Sequence, residues 1–213
     1  MGGRLAVAAL VALLAVAAVA AGVLVGLQPG NPLPFFTQPG RAAATDKPPP
    51  GPTDLNGVPL SYWPDACRLV SGSDVSQAFG GVGFTPAQPG SGRMGALTLP
   101  HPTTCVYQST DYQLGATVDM TVMSVSRTAA DAARLFASAR SVGAGAPTAL
   151  PGVGQQAVWF GGSMAQVRVQ QRRVVYQIGV ALDGSQTATA ADRQQRELSA
   201  AETLAGIAAG RIP

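Results

Sequence analysis

The stretch YWPDACRLVSGSDVSQAFG, residues 62–80, holds the first of two cysteines and runs straight into a short helix signal. Ser71 and Asp74 stand three apart, the spacing of a capping box, and Gly80 supplies a left-handed stop. Residues 72–79 are therefore expected to be helical. The second cysteine, Cys105, lies in TTCVYQS, residues 103–109, whose threonine, valine and tyrosine content predicts a half-buried strand. A bridge from Cys67 to Cys105 would pin the first helix to a sheet; two buried free thiols are the alternative. Outside the cytoplasm an even count with none left over favours the bridge. It would close a loop of about 38 residues, worth about 4 kcal/mol in the chain-entropy estimate.

Working outward from that strand, ATVDMTVMSV at 116–125 alternates Val118, Met120 and Val122 against Thr117, Asp119 and Thr121. That is period two with one face buried. Thr128 and Asp131 repeat the capping-box spacing, so a helix is expected over 129–140 with Ala132, Ala133, Phe136 and Ala139 inward. Gly143 and Gly145 end it. LPGVGQQAVWFGG, 150–162, reads as a turn and a strand through Trp159. AQVRVQ at 165–170 and VVYQIGVAL at 174–182 read as a hairpin joined near Gln171 and Arg172. A last helix over about 192–209 would bury Leu198, Ala201, Leu204, Ala205 and Ala208. Meander-like strands with short connections predict an α+β domain, an antiparallel sheet with helices packed on one face.

Ahead of the domain, residues 5–27 form an uninterrupted apolar run with Arg4 as its only N-terminal flanking charge. As a helix it would span roughly 34 Å, enough to cross a bilayer. The expectation is an uncleaved signal anchor, residues 1–28, that leaves Met1 in the cytoplasm and the rest outside. A cleavable signal peptide is the rival, although such apolar regions usually run only about 7–15 residues. A lipid anchor needs a cysteine directly after the run, and the first is Cys67. Residues 29–59, dense in proline, read as an extended extracytoplasmic spacer, and 60–213 as the folded domain.

The chain of 213 residues carries a formal net charge of +3. Its arginines are spread rather than gathered into a stripe with aromatics, which argues against nucleic acid as a partner. With these residues in hand the chain resembles an actinobacterial envelope family, domain of unknown function 3558. The likeness covers 65 to about 209: the Asp-x-Cys opening of DACRLVSGSDVSQAFG, the second cysteine before an aromatic in TTCVY, the glycine-rich turn of LPGVGQQAVW, and a closing helix. The family is mostly lipoprotein-anchored, whereas this chain carries the apolar run and proline spacer. The resemblance implies a place in the cell envelope and no activity.

Little in the sequence reads as chemistry. His101, the only histidine, sits between two prolines without a marked nucleophile or acid. As a ligand it could join Cys105, Cys67 and Asp65, but a disulfide would consume both sulfurs and the usual four-ligand spacing is absent. Met120 and Met123, three apart on a strand, point to opposite faces. FGGVGF and GAGAP lack the phosphate-loop lysine, and Ser163 is not in a Gly-x-Ser-x-Gly elbow. No enzyme, metal or cofactor is expected.

Arg168, Arg172 and Arg173 form the one cluster worth following. Arg168 is expected to face outward, with the other two near the hairpin tip. They either keep an edge soluble or touch acidic lipid headgroups, wall polymers or a protein. The sequence thus leads to a membrane-tethered extracytoplasmic binding domain. A carrier of a small amphiphile in a sheet–helix cleft is the runner-up, and an enzyme comes third.

Overall fold

The computed structural model describes residues 51–90, 92–94, 97–139, 146–183 and 189–213. The expected anchor lies outside them, as does residues 29–50 of the spacer. Among the described residues no helix is long and apolar enough to cross a membrane.

The folded unit begins at Pro50, so it takes in the end of the stretch assigned to the spacer. The reason is local. Asp54 Oδ1 accepts from the backbone N–H of Asn56 and Val58, and Oδ2 from Trp63 Nε1. A carboxylate that closes its own turn and grips a buried tryptophan makes a fixed corner from a segment that reads as linker.

In chain order the elements begin with a one-turn helix at Leu60–Tyr62, then α1 (Ala66–Leu69) and α2 (Gly72–Ala78). The strands β1 (Gln88–Pro89), β2 (Arg93–Met94), β3 (Leu97–Thr98), β4 (Thr104–Gln108) and β5 (Ala116–Val125) follow. After α3 (Ala129–Ala139) come β6 (Thr148–Ala149), β7 (Gln156–Phe160), β8 (Ala165–Gln171), β9 (Val174–Leu182) and α4 (Ala190–Arg211). Seven strands form one antiparallel sheet in the order β1-β4-β5-β9-β8-β7-β6, with β2 and β3 as a separate ribbon. The α+β class is present, Ser71 with Asp74 forms a full capping box at α2, and at α3 Thr128 Oγ1 accepts from Asp131 N and donates to Asp131 Oδ2. A second full box, Thr189 with Asp192, starts α4.

The helices do not share one face. Along β7, Ala157 belongs to the main core while Val158 and Phe160 belong to a second cluster with Val175, Ala132 and Phe136 of α3. Side chains alternate across a strand, so α3 covers the face opposite α4. The main core holds Val118, Met120, Val167, Val169, Tyr176 and Ile178 against Ala201, Leu204, Ala205 and Ala208 of α4. Helices thus pack on both faces of the sheet, not on one as expected. Both faces of β8 and β9 are buried, a pattern that alternation alone cannot distinguish from one face buried and one polar.

Candidate functional site

Cys67 and Cys105 are bridged, with Cα atoms 5.2 Å apart. The bridge joins α1 to β4, as the spacing predicts. Asp65 caps α1 by accepting from Cys67 N at 2.9 Å. The buried Tyr107 hydroxyl donates to Val70 O, closing the same seam. Burial, with the charges of Asp74 and Asp65, pushes its pKa up to about 12. Arg211, at the end of α4, donates to Leu69 O and to both carboxylate oxygens of Asp74, at 2.6 and 2.9 Å. Burial pushes Asp74 up, but hydrogen bonds from Arg211 and Ser71 outweigh it and hold the carboxyl at about 2. This seam is structural, because every polar group in it is spent on a neighbour.

The three expected patch arginines do not come together. Arg168 is buried, at 5% exposure. Its Nη1 donates to Ala139 O at 2.7 Å, Nε and Nη2 donate to Gln177 Oε1, and its guanidinium lies 5.0 Å from the Phe160 ring centroid. Its strand position does point away from the main core, as expected, but α3 lies on top of it. A cation beneath the carbonyl end of a helix is favourable there, and burial lowers its pKa. Arg168 supports α3 and belongs to no surface.

Arg172 and Arg173 are the two-residue tip between β8 and β9. Arg172 adopts φ 51°, a left-handed conformation that costs a non-glycine residue about 1–2 kcal/mol. Amide groups offset this: Arg172 N donates to Gln155 Oε1, and Gln170 Nε2 donates to Gln155 Oε1 and Arg172 O. The Arg173 guanidinium lies 4.5 Å from the ring centroid of Tyr62. Together with Pro64, Ala129, Val174 and Ile212 they wall a groove of about 490 Å³.

A second groove of about 510 Å³ opens at the same end of the sheet. Leu55, Val58, Trp63, Leu97, Met123 and Leu135 give it an apolar wall, and Arg127 stands at its rim. Two devices place these side chains. The β5–β9 register shifts between Val122 and Ser124, so Met123 is the extra residue of a bulge and is turned outward. The Asp54 turn presents Leu55 at 94% exposure. Gly57, at φ +68°, leaves the space that the Arg127 guanidinium fills, where Nε donates to Gly57 O at 3.2 Å. Alternation in 116–125 hides the bulge. A leucine inside TDLNG was the available signal for the turn, since an apolar residue in a tight polar turn has nowhere to bury.

His101 is exposed in its loop. Among the described residues no three His, Cys, Asp or Glu side chains are grouped to hold a metal. Comparison of the chain with protein-family models, curated proteins and solved structures found no match.

Proposed function

We propose that residues 50–213 are an extracytoplasmic binding module of the cell envelope, tethered through the apolar run at 5–27. Its contact surface is the end of the sheet that bears the two grooves. One observation carries this reading. Of the five large apolar side chains exposed among the described residues, Leu55, Tyr62, Met123 and Leu135 line those grooves, and only Tyr112 lies elsewhere. Apolar side chains gathered at one end and rimmed by arginine mark an interaction site rather than scattered surface. The reading is non-enzymatic, because the groove walls pair no nucleophile with a base. The envelope resemblance is part of the same proposal and contributes location, not activity.

A photo-crosslinking residue in place of Leu55 in the full chain, in native membranes, tests it. Adducts identified by mass spectrometry of proteins and lipids are expected at position 55 and not at a control in place of Tyr112. Equal yield at both positions would sink the reading.

The amphiphile carrier is favoured by volume alone, since both grooves fall within the roughly 300–1,000 Å³ of ligand pockets. A carried acyl chain would lie between sheet and helices, and there the space is filled by Met120, Ile178 and Leu204, all at 0% exposure. A lipid that co-purifies in stoichiometric amount with the full chain would reverse this order.

A further inference from the structure

We infer that the groove-bearing end docks on the anionic surface of a phospholipid bilayer, an inference that rests on the binding-module reading and names its partner. The charges come first. Arg127, Arg172 and Arg173 stand at this end, and none has a carboxylate within ion-pair distance among the described residues. The nearby carboxylates are spent: Asp54 on its own turn and Trp63, Asp131 on Arg134 and Thr128. Among these side chains three arginines outnumber the one carboxylate without a cation partner, Asp54, so this end is positive on balance.

Apolar groups stand among those cations. Leu55 and Met123 project from built features, a carboxylate-closed turn and a strand bulge, and Tyr62 offers an aromatic ring beneath Arg173. Leucine and tyrosine that enter the headgroup boundary while arginines meet lipid phosphates is the pattern of an interfacial contact. A protein partner would need carboxylates matched to three separate arginine positions. A lipid surface supplies anions wherever they fall.

Chain connectivity favours the same occupant. Asp54 and Leu55 line the groove of about 510 Å³, and Pro52, just before them, accepts from Leu60 N. The apolar run at 5–27 is therefore joined to this end by residues 28–51, a covalent reach of at most roughly 85 Å. The segment keeps the local concentration of membrane high, so a weak contact suffices.

The test uses the full chain reconstituted into vesicles of phosphatidylcholine alone or mixed with phosphatidylglycerol. A nitroxide is attached at Leu55→Cys or Tyr112→Cys; Tyr112 follows β4 at the other end of the ten-residue β5, roughly 30 Å away. The position-55 label is expected to become shielded from a water-soluble nickel chelate in anionic vesicles and to stay accessible in neutral ones. The position-112 label should be accessible in both. Adding Arg172→Gln and Arg173→Gln should lower the docked-to-free ratio roughly fivefold per arginine. A position-55 label that stays accessible in anionic vesicles overturns the inference, as does equal shielding at both positions. If position 55 then crosslinks selectively to a protein in native membranes, the binding module stands without the lipid. If it crosslinks to nothing there, both fall.

Discussion

The two faces of the sheet are built to different rules. Beneath α4 the sheet presents Val118, Met120, Tyr176, Ile178 and Val180, all at 0% exposure, and the polar tip among them, the Tyr176 hydroxyl, donates to Ala205 O. Beneath α3 the apolar cluster is small, and the same strands place Arg168, Gln177 and Asp119 on that side. Asp119 lies across Gly179: a Cβ on that glycine would come within 2.0 Å of Asp119 Oδ2. One face holds the fold together by burial, and the other carries charges that burial disfavours. The difference teaches that exposure at the groove end is not a shortage of core, since the α4 face alone buries a continuous apolar cluster.

If that contrast is right, the largest loss should come from the α4 face. Leu204→Ala should cost about 3–4 kcal/mol in denaturant unfolding, the range for a truncated leucine in a core that cannot collapse. A cost under about 1 kcal/mol would break the comparison. Next comes the bridge: Cys67→Ser with Cys105→Ser should cost about 2–4 kcal/mol, a fall of roughly 4–12 °C in melting temperature. Protease sensitivity should rise ahead of Ser71, and the oxidised protein should have no maleimide-reactive thiol in denaturant.

The α3 face should respond less. Arg168→Met keeps the aliphatic packing but leaves Ala139 O and Gln177 Oε1 without this donor, so a loss of about 1–2 kcal/mol is expected. Hydrogen exchange should quicken in α3 and not in α4. The smallest effect has the opposite sign. Burial raises the Asp119 pKa, so folding favours its neutral form. Its contribution is most favourable below the unfolded carboxylate pKa and is lost as pH rises through the folded value. Asp119→Asn should therefore stabilise the protein at neutral pH by roughly 0.5–1 kcal/mol and flatten the stability profile across the weakly acidic range. Destabilisation at neutral pH would mean that the charge has a partner.

Much of this architecture is legible in the chain. Period-two alternation locates β5 residue for residue, and capping-box spacings locate α2 and α3, because these signals are local. The second sheet face is not legible in that way. Arg168 occupies a position that any isolated strand would give to solvent, and only the return of α3 over β8 and β9 buries it. Arg172 and Arg173 do sit at the hairpin tip where the pattern puts them, Arg172 exposed and Arg173 half-buried against Tyr62. Their neighbours in space, Arg127, Leu55 and Met123, come from three separate segments, and their meeting depends on the Asp54 turn and the β5 bulge. Local pattern carries neither.

The position of α4 in the chain bears on how the protein is made. It is the element that covers the main apolar face, and it comes after every strand. Cys67, Cys105 and the described strands are synthesised before it, so the two cysteines can meet while the face of Met120 and Ile178 is still wet. A chain that stops before Ala190 should keep its bridge yet bind a dye specific for exposed apolar surface. During synthesis this interval is when the protein is open to aggregation, and its length is set by how fast the last turn of α4 is delivered.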